Sequence, residues 1–325
     1  MNIERLENES VNEYKIRLGM AKVRKQIDLD WSELINLLGL ECSVDKFRHD
    51  AYAWVYFDDN CRKSSAEKKV VTRILSISDT HVPFQLPVET FSKYAGKVDI
   101  LQINGDVLDC YSLSSFTKTQ RISPIEEMVV GRKYLIDLIN YIKPKKVVVT
   151  VGNHCKRLGL YLAKNLDTDI QELIPETALD YLLIDGFTRY DRESRTKVYY
   201  EPLKDIFKDV EIIFDGKYYA QIGDTIFCHP SAYSSGIMKT TEKAMIHFRN
   251  EGFNFRTLVM SHVHKIGQYK IGNTMLYEQG CCCDTSKMQY IDGKLQNSQK
   301  EGFLYLCQDE NGNTLVNETV LEFLN

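Results

Sequence analysis

Five short apolar runs in this chain each stop at a cluster of histidine, aspartate or asparagine, and this pattern constrains the fold more than any other feature. The run ending at Ser78 is followed by Asp79-Thr80-His81. A run through Ile103 leads to Gly105-Asp106-Val107-Leu108-Asp109, and the valine-rich stretch Lys146 to Val151 leads to Gly152-Asn153-His154. Phe227 and Cys228 precede His229, and Val259 precedes Ser261-His262-Val263-His264. Short apolar runs bounded by turn formers read as buried strands. Ligands of open α/β sheets bind outside the carboxyl ends of the strands, so the five motifs are expected to converge on one face.

The intervals fill in the pattern. Residues 87–95 and 124–142 read as helices, the second capped by Ser123 with Pro124 in its first turn. Strand, helix, strand, helix, strand predicts a parallel sheet with helical crossovers. Residues 156–209 are mixed helical and charged and are expected to form a cap over the site. The remainder is β-rich. Candidate strands lie near 210–214, 217–222, 224–228, 257–261, 265–271, 274–279, 302–308 and 314–323, with a helix at 241–250. Hairpin turns are expected at Asp215-Gly216, Gly223-Asp224, Gly272-Asn273, Asp292-Gly293 and Asn311-Gly312.

Residues 1–69 read as a separate helical module with a linker, and 70–325 as the larger domain that carries the five motifs. Asp30 or Ser32 caps a short helix whose apolar stripe is Trp31, Leu34, Ile35, Leu37 and Leu38, and Gly39 stops it. Ser43 caps a second helix carrying Phe47, Tyr52, Trp54, Val55 and Tyr56, with Lys46, Arg48 and His49 near its start. Two short helices about a glycine-containing turn make a helix-turn-helix pattern, whose second helix faces the major groove in DNA-binding proteins. A helical hairpin that packs on the larger domain is the other reading. The polar stretch from Asn60 to Lys69, with Arg62, Lys63 and Lys68, reads as a basic linker.

Composition narrows the class. A chain of 325 residues accommodates one large domain and a small module. A net charge of −4 argues against a protein that coats nucleic acid by overall positive charge, while leaving local basic patches open. No apolar run approaches the ~20 residues of a membrane span, and the polar, acidic start is unlike a signal peptide. The expectation is a cytoplasmic protein with no membrane partner. The nine cysteines include no CxxC pair and read as reduced, mostly buried thiols.

The motif residues point to chemistry. Imidazole, carboxylate and amide oxygen together suit divalent transition metals better than calcium. Of seven histidines, five lie in the motifs, and His49 and His247 lie outside them. One histidine alone is more often a satisfied core or surface residue. Five at strand ends, interleaved with Asp and Asn, are not explained that way.

As an ordered set over residues 79–264, the motifs resemble the calcineurin-like metallophosphoesterase superfamily. The resemblance implies an α+β fold for about 70–325, in four layers, with a central β-sandwich flanked by helices. It implies two divalent metal ions, manganese first, with iron, zinc, nickel or magnesium as alternatives. One ion would be held by Asp79, His81, Asp106 and His264, the other by Asp106, Asn153, His229 and His262, with Asp106 shared. Such pairs lie ~3.5–4 Å apart and lower the pKa of water from ~15.7 toward ~7, so a bridging hydroxide is the implied nucleophile. His154 would be the general acid and Asp109 its orienting partner; the plainer reading of Asp109 is a turn cap. Arg157 matches an arginine often found there in other members and would be placed to bind substrate phosphate; a solvated arginine at a helix start is the alternative.

Departures from the pattern also inform. Cys155 replaces an acidic residue, while Pro230 and Ser261 replace glycines. Cys110 stands where Ser/Thr protein phosphatases carry a phosphate-binding arginine, which argues against that activity. Cys281 to Cys283 fall in a small-residue loop near the site and are not read as metal ligands. The leading expectation is a phosphodiesterase or nuclease acting on DNA, because of the N-terminal module, the basic linker and the likeness to bacteriophage and prophage members of DNA exonuclease type. A phosphatase or phosphodiesterase of small nucleotides is the first alternative. A non-catalytic DNA-binding or scaffold protein is the second.

Overall fold

The computed structural model describes residues 3–7, 9–65, 69–114, 122–287 and 299–324. The chain divides into two compact units, Met1–Lys68 and Lys69–Asn325.

The first unit holds α1 (Val11–Val23), α2 (Trp31–Leu38) and α3 (Val44–Ser65). Ser10 and Asp30 each accept from the backbone three residues on, while Glu13 and Glu33 reach back, so α1 and α2 both start on reciprocal capping boxes. Gly39, at φ 59°, takes the left-handed turn that ends α2. Leu18, Ala21, Leu34, Ile35 and Phe47 form the core. Trp31 and Trp54 pack edge-on against Phe47, at ring-centroid distances of 5.9 and 6.0 Å. Lys46, Arg48 and His49 are exposed. Residues 60–65, whose polarity suggests a linker, continue α3 instead. No glycine or proline interrupts them, and Arg and Lys are good helix formers. Glu67 and Lys68 lie outside the described residues.

The second unit contains β1 (Thr72–Ile77), β2 (Ile100–Asn104), α4 (Pro124–Ile142), β3 (Lys146–Thr150), α5 (Arg157–Asn165), α6 (Thr168–Gln171) and α7 (Ala178–Asp180). Then come β4 (Phe187–Asp191), β5 (Thr196–Tyr200), α8 (Leu203–Ile206), β6 (Glu211–Phe214), β7 (Tyr219–Ile222), β8 (Thr225–Cys228) and α9 (Lys239–Asn250). It closes with β9 (Thr257–Met260), β10 (Ile266–Ile271), β11 (Thr274–Gln279), β12 (Gly302–Gln308) and β13 (Val320–Phe323). A six-stranded sheet runs β13-β12-β1-β2-β3-β6, and a five-stranded sheet runs β10-β11-β9-β8-β7. In the first, β1, β2, β3 and β6 are parallel and β12 is antiparallel to β1.

Alternation along the strands builds the layers. Leu75, Ile77, Leu101, Ile103, Val147 and Val149 pack with Tyr134, Leu135, Leu138, Ile139 and Ile142 of α4. Ile74, Leu304 and Leu306 instead meet Phe227, Val259 and Tyr277 of the second sheet. That sheet's other face, through Ile226, Leu258, Met260 and Leu276, packs on Ala244, Met245 and Phe248 of α9. The order is helix, sheet, sheet, helix, the four-layer sandwich expected. Each fully buried aliphatic or Phe side chain contributes ~1.5–3 kcal/mol.

Several local expectations change. Residues 87–95 contain a 3-10 helix, Val88–Tyr94, and not an α-helix. Within 156–209 the chain forms the β4–β5 hairpin, which charge-rich composition concealed. The Asp215-Gly216 turn carries the chain from one sheet to the other, since β6 and β7 belong to different sheets. In the stretch 314–323, only Val320–Phe323 is a strand. The Asp292-Gly293 turn lies outside the described residues.

Candidate metal centre

The first three motifs follow β1, β2 and β3 of one sheet, and the last two follow β8 and β9 of the other. The expected single face is therefore a shared edge of two sheets. Backbone conformation turns the donors inward there. Asp79, His81, Asp106, His262 and His264 all have positive φ, between 44° and 76°. That region is rare for non-glycine residues and clusters at functional sites.

The donors form two groups. In Asp79, His81 and His264, one donor atom from each lies within 4.8 Å of the others, and the same holds for Asp106, His229 and His262. His264 Nε2 is 3.0 Å from Asp79 Oδ1 and 3.2 Å from His81 Nε2. His229 Nε2 is 3.1 Å from Asp106 Oδ2, 3.2 Å from Asn153 Oδ1 and 3.8 Å from Asp79 Oδ1. That imidazole touches both carboxylates, so the two groups adjoin. The His262 backbone N–H donates to Asp79 Oδ2 at 3.2 Å, and its ring lies beside that of His229. All seven expected ligands are thus brought together.

The remaining site residues form a second tier. His154 Nδ1 lies 2.9 Å and His81 Nδ1 3.0 Å from the same oxygen, Asp109 Oδ1. Asp109 therefore orients both rings and leaves each Nε2 to face the donors, a role toward His81 that sequence reading missed. Arg157 is not a solvated arginine. It donates to Asp109 O at 2.7 Å and lies 3.0 Å from His154 Nε2 through Nη2.

Electrostatics tests whether dications suit these residues. Asp79, Asp106 and Asp109 are all buried. Burial alone would raise each carboxyl, yet neighbouring histidines outweigh it and hold all three below the usual carboxylate range. The response appears on the imidazoles. Burial opposes protonation of His81 and His229, but the carboxylates push them up to about 10 and about 9. His262, penalised by burial and by His229, falls to about 4. Three buried anions demand positive charge, and without metal the protein must draw it from protons. Donors bonded at ~2.0–2.2 Å to one ion stand ~3–4 Å apart, as here. The residues fit divalent cations.

Other parts of the scaffold were invisible in sequence. Asn104 O accepts from His229 Nδ1 at 2.8 Å and from Ser261 Oγ at 2.8 Å, fixing which nitrogen of His229 faces the donors. Asn104 Nδ2 donates to Cys228 O at 3.3 Å, across to the second sheet. Glu127 of α4 accepts from the Cys110 and Tyr111 backbone and pins the turn after Asp109. Ser261, noted as a departure from glycine, is a support for His229. Cys155 is buried among core residues, and its thiol is pushed up to about 12 by burial.

The profile of the calcineurin-like phosphoesterase family matches residues 72–265. Among solved structures, Vacuolar Protein Sorting 29 of Cryptosporidium parvum is 14% identical, covering 78% of this chain and 98% of its own, with a TM-score of 0.37. Vps29 of Entamoeba histolytica complexed with zinc is 13% identical, covering 77% and 97%, with a TM-score of 0.37. A novel archaeal phosphodiesterase is 13% identical, covering 77% and 100%, with a TM-score of 0.34. No curated protein matches.

Proposed function

This chain belongs to the calcineurin-like phosphoesterase family and is a metal-dependent phosphoester hydrolase, and from that premise we propose that it is a two-metal phosphodiesterase acting on DNA. The reading of the centre rests on one observation: two complete donor groups meet at His229, between Asp79 and Asp106. Asp79, His81 and His264 would hold one ion and Asn153, His229 and His262 the other, with Asp106 shared. Manganese is the first choice, with iron, zinc, nickel or magnesium able to take the same donors. When bound, the ions supply an activated water and offset charge on the phosphoryl oxygens.

The chain's own groups do the rest. Asp109 accepts from His154 Nδ1 and so presents Nε2 as the group that protonates the leaving oxygen. Arg157 lies 3.0 Å from that nitrogen and is placed to take a substrate phosphate when the proton is needed there. Burial pushes the His154 imidazole below its ordinary range, which favours giving up the proton.

The β4–β5 ribbon supports DNA as substrate. Phe187, stacked on Tyr200 at 4.9 Å, anchors its base. Tyr190 lies opposite Lys197 and Thr188 opposite Tyr199, so one face carries both tyrosines and the lysine. Tyr190 and Tyr199 are more than half exposed, and Arg192 and Arg195 at the tip are exposed. Aromatics interleaved with cations suit a strand whose bases stack at ~1–3 kcal/mol each. The exposed Lys46, Arg48 and His49 of the N-terminal unit point the same way.

A second reading, a small-nucleotide diesterase or phosphatase, is favoured by a cavity of about 380 Å³ bounded by the segment that follows His229 in sequence. It is lined by Tyr218, Pro230, Ala232 and Phe248, with Lys156 and Lys243 present. A non-catalytic scaffold would not be expected to keep every donor. The test is turnover with Mn2+ on single- and double-stranded DNA, bis-para-nitrophenyl phosphate and nucleotides. DNA cleavage that falls in Tyr190→Ala/Tyr199→Ala, with the small diester unaffected, is the expected result. Hydrolysis of small substrates alone rejects the nuclease reading. Among the described residues no helix is long and apolar enough to cross a membrane.

A further inference from the structure

We propose that Cys281, Cys283 and Nδ1 of His264 form an additional cation site, selective for a soft or borderline ion such as zinc, cadmium or copper(I). Sequence spacing alone gave no reason to treat the cysteine triplet as a metal site. Structure adds the third donor. One ligand atom from each of the three residues lies within 4.8 Å of the others, although His264 stands 17 positions before Cys281. His264 Nε2 already faces Asp79 and His81, which leaves Nδ1 for the thiols. That nitrogen is buried and has no hydrogen-bond partner. Leaving a buried polar atom unsatisfied is costly, so an unpartnered nitrogen on a ring that adjoins two thiols calls for an occupant.

The cysteine loop is rigidly held. Cys281 N donates to Lys300 O at 3.0 Å, Cys282 N to Ser78 O at 2.9 Å and Asp284 N to Phe84 O at 2.8 Å. Alternation sends Cys282 into the main core, while Cys281 and Cys283 share a small cluster with Phe84. Both thiols are fully buried, so a pair of sulfur donors is preorganised behind the imidazole. Thiolate and imidazole select soft ions, whereas the Asp- and Asn-rich donors on the other side of His264 suit harder ones. Binding would release the thiol protons to solvent, and with both ring nitrogens coordinated the remaining imidazole N–H proton leaves with them. His264 would then join two centres of different preference through its two nitrogens.

The site is tested without reference to hydrolysis, so its failure is separate from failure of the phosphoesterase reading. Full-length protein, reduced and saturated with Mn2+, is titrated anaerobically with Cd2+, and thiolate-to-cadmium charge-transfer absorption is followed in the ultraviolet. The expected result is saturation at about one equivalent and loss of that absorption in Cys281→Ser/Cys283→Ser. A Cys42→Ser/Cys61→Ser protein should keep it. If the double variant fails to fold by circular dichroism, the two single serine variants carry the test, and each should lower the absorption. No thiolate absorption in the wild type, or undiminished absorption in the Cys281 and Cys283 variants, overturns the proposal.

Discussion

Replacing Gly152 with alanine is the sharpest test of Asp106 as the shared carboxylate. A Cβ added at Gly152 would lie 2.0 Å from Asp106 Oδ1, 2.6 Å from its Cγ and 2.5 Å from its backbone nitrogen. Real Cβ atoms essentially never come under 3.0 Å, so Oδ1 must retreat by about 1.0 Å, and the backbone of Asp106 must shift as well. Oδ1 accepts the His154 N–H at 2.8 Å, and Oδ2 sits 3.1 Å from His229 Nε2. A retreat of that size breaks the first contact and misplaces the second. A hydrogen bond to a charged group is worth ~1.5–3 kcal/mol, and ~1.4 kcal/mol is tenfold in affinity. Metal affinity should therefore fall about 10- to 100-fold, and the melting temperature should drop by an amount equivalent to ~1–3 kcal/mol of overpacking. Calorimetric titration with Mn2+ and turnover of a small diester at limiting and saturating metal measure the effect. Gly159→Ala is the control: its Cβ would lie 2.5 Å from Glu176 O, outside the donor set, and should destabilise without changing metal affinity. A folded Gly152→Ala protein with wild-type metal affinity and turnover would refute the reasoning.

Other outcomes follow from the same geometry. His154→Ala should retain metal and lose ~10²–10⁴ in kcat; unchanged turnover removes its role as acid. Asp106→Ala should lose metal occupancy, measured by elemental analysis, and full occupancy would contradict the shared position. His81 and His229 are raised from 6.5 to about 10 and about 9. Their stabilisation of metal-stripped protein is complete below pH 6.5 and is lost as pH rises through those values, each unit counting ~1.4 kcal/mol. The apo melting temperature should therefore fall from pH 7 to 10, and added divalent metal should flatten the curve; a rise over that interval contradicts the charge assignment. Removing residues 1–60 should weaken DNA retention in a gel-shift assay while preserving small-diester hydrolysis, and unchanged retention would make the N-terminal unit irrelevant to DNA.

What could be read from sequence divides along physical lines. Asp79, Asp106, Asn153 and His229 were conspicuous because each stops an apolar run, and α4 was bounded by Ser123 and Pro124 because a proline suits the first turn of a helix. The β4–β5 ribbon escaped notice because Arg189, Asp191, Arg192, Glu193, Arg195 and Lys197 erase the apolar alternation by which strands are recognised. The resemblance implies a two-sheet sandwich, but which motif hangs from which sheet was not legible, because Asp215-Gly216 makes a turn whatever sheet the next strand joins. The support of Asn104 for His229 acts through its backbone carbonyl and leaves no mark in residue type. Asp109 looked like a partner of one histidine and serves two.

Because Asp79, Asp106 and Asn153 hang from one sheet while His229, His262 and His264 hang from the other, ions held among them would work as rivets through the seam. Their binding energy would then oppose any parting of the layers, not merely local fraying of a loop. A slip of one layer against its neighbour, too small to melt either, would scatter the donors and silence the chemistry. Hydrolytic activity should thus fade before the bulk of the β structure does, making catalysis the more sensitive gauge of whether the two halves of the sandwich remain in register.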